Sequence, residues 1–253
     1  MKRIISTVSL AVIAVIIIAL IVIGVCLNHI VKTAVNTYGP RLTQTTVRVD
    51  SVDLSLLTGS ARVKGLAVGN PEGYKTPHSI TAGLIAVGLN PMSVFSRKIV
   101  IRSVRVESPD ITFEGGLEGN NLSQILDNVN STGQGGGTLS TNAAATPKSE
   151  KKYEVDDLVI SGAKVQVIIN GIGMSHPQVI PLPNIHLTDM GTGGDGITAA
   201  DLTRQVLSAI SSATLQTVVQ TSADLEKNAA NLKQVKQHAV KQLGNAFSNF
   251  LNK

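Results

Sequence analysis

Apolar and polar positions follow three different rhythms along this chain. Ile4 to Leu27 is an unbroken apolar run without a charged side chain, and sixteen of its 24 positions are Ile, Val or Leu. At about −0.3 to −0.6 kcal/mol each near a bilayer centre, such residues together favour insertion by several kcal/mol. As a helix the run is about 36 Å long, enough to cross a hydrocarbon core of about 30 Å with some tilt. It is longer than the apolar part of a cleaved signal peptide and lacks an A-x-A-like site, so an uncleaved anchor is expected. Lys2 and Arg3 before it nearly balance Lys32 and Arg41 after it. Long C-terminal domains are translocated largely regardless of charge, which predicts a cytoplasmic N-terminus and a body on the far side. Beyond the anchor, Ile30, Ala34 and Tyr38, flanked by Val31 and Val35, predict a helical continuation that stops at Gly39-Pro40.

From Thr45 the period becomes two. Val47 and Val49 enclose Arg48, and Val52, Leu54 and Leu56 enclose Asp53 and Ser55. The pattern returns around Ala61 and Val63, Ile99 and Ile101, and Val104 and Val106. Such alternation predicts antiparallel strands with one apolar and one wet face. Its parity slips at Asp50-Ser51, Lys64-Gly65 and Arg102-Ser103, where either a bulge or a short turn would restore the apolar side. Asn70-Pro71-Glu72-Gly73-Tyr74 is a compact turn, and Asn90-Pro91 and Ser108-Pro109-Asp110 are further connections. Asn121-Leu122 opens a short helix with Leu122, Ile125, Leu126 and Val129 on one side. Ser131 to Lys152 is rich in Gly, Ser, Thr, Ala and Asn and reads as a linker or insertion. Strand patterning resumes at Val155 to Ile160, Ala163 to Ile169 and Val179 to Leu187; Pro181 and Pro183 demote the last to an edge or irregular strand.

The third rhythm is helical. Thr198 with Asp201 resembles a capping box ahead of Leu202, Val206 and Ile210. Leu225, Ala229, Leu232, Val235, Ala239, Leu243, Ala246 and Phe250 then form a stripe opposite Lys227, Lys233, Lys236 and Lys241. Packing on the protein's own sheet is the commoner use of such a stripe, and lying on an anionic membrane is the other. The predicted organisation is a tail over 1–3, an anchor over 4–27, a juxtamembrane helix over 28–39 and a β-rich region over 41–130. A linker or insertion over 131–152, a second β-rich segment over 153–198 and a helical region over 199–253 complete it. The fold class is α+β: an N-terminal transmembrane helix, a curved, mostly antiparallel sheet or groove, and C-terminal amphipathic helices.

Composition narrows the function. The formal charge of +5 falls to +3 without Lys2 and Arg3, and with no Trp and scattered Tyr and Phe there is no nucleic-acid signature. The single Cys26 cannot form an intramolecular disulfide, and Val25 before it disfavours a lipoprotein acceptor over a membrane-buried cysteine. Gly191-Thr192-Gly193-Gly194-Asp195-Gly196 formally matches G-x-G-x-x-G, but the helical pattern after it leaves no second strand to complete a dinucleotide-binding unit. The five histidines are dispersed, and neighbouring acids Asp156-Asp157 would point to opposite faces of a strand. No catalytic, cofactor-binding or metal residue is nominated, and a non-enzyme is expected.

With anchor and body laid out, the chain resembles the AsmA-like family of bacterial envelope proteins. The resemblance runs from Leu27 to Val129 and again from Val155 to Thr198. It is most specific over Val47 to Tyr74, and the Ile99 to Phe113 ladder followed by Asn121-Leu122 fits the same pattern. It implies an inner-membrane anchor, a periplasmic body, and a part in outer-membrane biogenesis or phospholipid transport through an apolar β-groove. The implied partners are the membrane, phospholipid and other envelope proteins. Groove candidates are Val47, Val49, Leu54, Leu56, Val63, Leu66, Leu84, Ile99, Ile101, Val104, Val106, Ile111 and Phe113. This chain departs from larger relatives in being short: nine or ten strands about 4.8 Å apart would give a groove on the order of 45 Å. A sealed core under the C-terminal helices, making a scaffold or protein-binding module, would produce the same alternation.

Overall fold

Alternating side chains build one mixed sheet of ten strands curled into a half-barrel, with helices added in an α+β arrangement. The computed structural model describes residue 24 and residues 26–116, 119–134, 151–169, 178–221 and 223. The expected anchor Ile4 to Leu27 lies almost wholly outside the described residues, as do most of the expected 131–152 linker and the Leu225 to Phe250 stripe. Among the described residues no helix is long and apolar enough to cross a membrane. Helix α1 covers 26–43. The strands are β1 (Val47–Arg48), β2 (Ser51–Ser55), β3 (Ser60–Gly69), β4 (His78–Leu89), β5 (Lys98–Glu107) and β6 (Asp110–Gly115). After α2 (Asn121–Gln134) come β7 (Lys152–Ser161), β8 (Lys164–Ile169), β9 (Gln178–Pro181) and β10 (Ile185–Met190), and α3 covers 199–221. The chain divides into two compact units, Met1–Ala213 and Thr214–Lys253.

The ten strands occupy only six positions across the sheet. β1 and β2 both pair with β3 in one continuous register, Arg48 with Ala67 and Ser51 with Lys64. β5 and β6 share one register on β4, as β7 and β8 do on β5 and β6. β9 and β10 likewise continue each other along β8 and β7. Five spacings of about 4.8 Å give a width of roughly 24 Å, about half the expected groove length. The stretch Val179 to Leu187 is two edge strands, divided by Leu182 to Asn184. Two pairings are parallel, β5 with β7 and β6 with β8, where antiparallel ladders were expected. Alternation shows which faces are buried but not strand direction, and the long interval from Gly115 to Lys152 supplies the crossover that a parallel pair needs.

Where the strands break, they break in line. Lys64 pairs with Leu84 and Leu66 with Ala82, which puts Gly65 opposite Gly83. The neighbouring registers carry that row on through Ser108, Gly162 and Pro183, and back to Asp50. Each strand loses one step of its alternation here, so both halves turn their apolar side the same way. The slips at Asp50-Ser51 and Lys64-Gly65 are thus one crease crossing the whole sheet, and the β3–β4 register passes through it unshifted. Gly65 (φ 64°), Ser108 (φ 49°) and Gly162 (φ 65°) take left-handed backbone there. Glycine is required at 65 twice over, because a Cβ would also lie 1.9 Å from Asp50 Oδ2. The slip at Arg102-Ser103 is a separate irregularity, beside a register shift between Gly88 and Leu89.

Helix α1 closes one edge of the sheet. It runs through Gly39-Pro40 to residue 43 instead of stopping there, and ends where Gln44 takes φ 53°. Its sheet-facing side is polar: Asn28 Oδ1 accepts from Leu54 N (2.8 Å), Lys32 Nζ donates to Asp50 O (2.6 Å) and Asn36 Oδ1 accepts from Val49 N (2.9 Å). These residues, four apart, occupy edge groups that would otherwise offer a template for another strand. Ile30 and Tyr38 of the expected apolar stripe are exposed, with Arg41 5.8 Å above the Tyr38 ring.

Candidate binding groove

The crease divides the apolar face into two panels. In the first, Val47, Val68, Ile80, Ile111 and Val165 form a row across the sheet, beside Phe113 and Val167; all are buried. Helix α2 packs on β6 here and buries Leu122, Ile125 and Val129. This half is a conventional closed core. In the second panel the row Val52–Val63–Ile85–Val106–Ile160–Ile185 crosses all six positions. Its ends Val52, Ile160 and Ile185 are buried, but Val63, Ile85 and Val106 at its centre are only half-buried. Val87, Ile101 and Val104 beside them are half-buried too. The result is an aliphatic floor on β3, β4 and β5, without a charged side chain on that face. From Ile101 to Val106 it runs roughly 17 Å along the strand, comparable with one leaflet of a bilayer core.

The expected groove residues therefore separate. Val47, Val49, Ile111 and Phe113 are buried and belong to the closed panel. Leu54, Leu56, Val63, Leu66, Ile99, Ile101, Val104 and Val106 are half-buried. Leu84 does not line the floor: it pairs with Lys64 on the opposite face and is 44% exposed. The parity slip at the crease reverses its side, since Ile85 takes the inner position. Ile85 and Val87 are floor residues that the sequence reading missed, although Ile85-Ala86-Val87 carries the same alternation. Two clefts lie elsewhere. One of about 340 Å³ is lined on the outer face by Thr81, Asp110, Thr112, Lys164 and Gln166. Another of about 530 Å³ lies between α1 and β1, beside Lys32 and Arg48.

A polar lock holds the closed panel. Glu114 is 0% exposed; its Oε1 accepts from Lys75 N (2.8 Å), and its Oε2 from Thr76 N (2.9 Å) and Thr76 Oγ1 (2.6 Å). Burial alone would raise this carboxyl, but the Thr76 hydroxyl, the two amides and the Lys75 charge outweigh it and hold the group below its ordinary range. Tyr74 is pushed up, by burial first and then by the Glu114 charge. Asn121 ties the lock together, donating to Asn70 Oδ1 and Thr112 O, both at 2.7 Å, and accepting from Glu114 N at 2.9 Å. The Asn70–Tyr74 turn and the Asn121-Leu122 helix start, fifty residues apart, are thus two halves of one clasp. Glu114 was missed because an acid following Phe113 in alternation looks solvent-facing.

On the outer face, Asp157 joins Arg105 to His186, whose Nε2 lies 2.6 Å from it. The Arg105 hydrogen bond, then that of His186, lowers the Asp157 carboxyl from its ordinary value. The expected capping box is present: Thr198 Oγ1 donates to Asp201 Oδ2 (2.8 Å) and accepts from Asp201 N (3.0 Å). The glycine loop is a tight connection from β10 to α3. A Cβ at Gly191 or Gly196 would lie 2.5 or 2.8 Å from Tyr153 O, which accounts for those glycines without a ligand. Among the described residues no cluster of His, Cys, Asp and Glu could hold a metal ion. Comparison with known protein families, curated proteins and solved structures returned no match.

Proposed function

We propose that this chain is a non-enzymatic protein of the bacterial envelope, similar to AsmA-like proteins, whose half-open aliphatic floor holds the acyl part of a phospholipid. In this reading Ile4 to Leu27 anchors it in the inner membrane, with a cytoplasmic N-terminus and a periplasmic body. Its role is then to support phospholipid transport or outer-membrane biogenesis. The observation that carries the reading is the contrast within one row: Val52, Ile160 and Ile185 are buried while Val63, Ile85 and Val106 between them stay half-exposed. An acyl chain laid on that floor gains about 0.8 kcal/mol per methylene removed from water. A floor on three strands of a sheet about 24 Å wide suits single lipids, and the sheet is too narrow to bridge two membranes alone.

The scaffold reading draws on the first panel, where α2 seals Ile111 and Phe113. To separate the two, full-length protein is purified and its lipid extracted and weighed by mass spectrometry, beside a Val63→Asp/Val106→Asp variant. Lipid held by the anchor is common to both samples. The groove reading expects the variant to lose a defined excess of phospholipid; equal lipid in both samples leaves the scaffold.

A further inference from the structure

The three most exposed large apolar side chains among the described residues are Leu57 (81%), Met92 (78%) and Phe95 (66%). Leu57 is distant in sequence from Met92 and Phe95, yet all three occupy one end of the sheet. Leu57 is in the β2–β3 turn, and Met92 and Phe95 are on the single 3-10 turn Pro91–Phe95 between β4 and β5. The two turns touch: Leu89 N donates to Gly59 O (2.7 Å), and a Cβ on Gly59 would lie 3.1 Å from Pro91 Cγ. Two exposed cations flank them. Arg97 precedes β5, and Lys151 is pinned at the base of the 3-10 turn, its Nζ donating to Val94 O (3.3 Å) and Ser96 O (2.5 Å).

The course of α1 identifies this end. Its contacts run from Asn28 beside Leu54, through Lys32 at Asp50, to Asn36 at Val49. The start of the helix, which follows directly on the apolar run Ile4 to Leu27, therefore lies beside the end of β2 that leads into Leu57. The hydrogen bonds to the sheet edge fix that direction. The same end is where the floor runs out, with Leu89 and Ile101 its last rungs.

We infer that Leu57, Met92 and Phe95 dip into the outer leaflet-facing interface of the membrane that holds the anchor, with Arg97 and Lys151 against lipid phosphates. The occupant is a bilayer surface bearing anionic headgroups. Apolar loop tips bury in the headgroup and acyl boundary, and adjacent cations gain from anionic lipid, an interaction that salt screens. At the opposite end, the β3–β4 turn presents exposed Glu72 and Gly73. This inference rests on the anchor reading and extends it: the body is held against the membrane, with the floor opening towards the lipid.

The test uses the full chain with Cys26→Ser and single cysteines at Leu57, Met92, Phe95 or, as control, Glu72, each carrying an environment-sensitive fluorophore. The proteins are placed in vesicles of phosphatidylethanolamine and phosphatidylglycerol with nitroxide-labelled lipid. The expected result is blue-shifted, lipid-quenched emission at 57, 92 and 95 but not at 72, with an Arg97→Glu/Lys151→Glu background weakening the quenching at 57. Carbonate extraction is run in parallel. A chain that stays in the membrane with 92 and 95 no more quenched than 72 overturns the docking inference alone. A chain that carbonate releases overturns the anchor reading and the docking together.

Discussion

Glu114 gives the sharpest test of how the closed panel is held. Replacing it with Gln keeps the shape but leaves one accepting oxygen where the carboxylate has two, so one of Lys75 N and Thr76 N faces an NH2 group. A hydrogen bond to a charged group contributes about 1.5–3 kcal/mol, and a buried amide left unpaired costs about 1–3 kcal/mol. Local opening of the Asn70–Thr76 turn should therefore become easier by about 2–4 kcal/mol, or roughly 30- to several hundred-fold. Hydrogen exchange read by mass spectrometry over residues 70–80 measures this on the full chain. pH provides a second axis. A carboxyl whose folded pKa lies below its unfolded value stabilises the fold above the unfolded pKa, and that contribution is lost as pH falls through the folded pKa. Wild-type protection at 75 and 76 should thus fall with acid, while the Gln variant stays flat across the same range. If Glu114→Gln exchanges like wild type at neutral pH, the clasp does not hold the turn and the reasoning fails.

Further outcomes follow from the same geometry. Gly65→Ala forces a non-glycine into φ 64° against Asp50; the backbone alone costs about 1–2 kcal/mol, and thermal melting should shift down by roughly 2–8 °C. Asp50→Ala should restore only part of it, because it removes the clash and leaves the backbone strain. Thr198→Ala removes the cap of α3, costs about 0.5–2 kcal/mol in chemical denaturation, and lets the Asp201 carboxyl return towards its ordinary value, which a carboxylate NMR titration reads. Asn28→Ala/Asn36→Ala uncovers two edge amides, so exchange at Val49 and Leu54 should quicken and crosslinked dimers increase; unchanged exchange refutes the edge-closing role of α1.

Much of the sheet was readable because its alternation is strict within each half-strand. The apolar sets around Val47, Val63, Val106 and Ile111 all fall on one face, and the capping pair Thr198 and Asp201 is as expected. Three things were not readable, each for a physical reason. A parity slip looks the same whether one strand bulges or six kink together, so the crease through Gly65, Gly83, Ser108 and Gly162 emerges only from the registers. Periodicity counts strands but not how they stack end to end, which is why the expected width was about twofold too large. Burial of Glu114 and the edge-capping of Asn28, Lys32 and Asn36 depend on partners distant in sequence, and local polarity pointed the other way for both. Leu84 shows the finer hazard: one residue beyond a crease, an apolar side chain changes face.

The central claim is that the centre of the second panel meets lipid while the outer face does not. Photo-crosslinking in intact membranes tests it most directly, with a benzophenone amino acid placed at Ile85 or Val106 on the floor, and at Ala86 or Arg105 on the other face. With isotopically labelled phospholipid, the account predicts a lipid adduct at 85 and 106 and none at 86 and 105. Equal labelling of both faces, or none at 85 and 106, would contradict it.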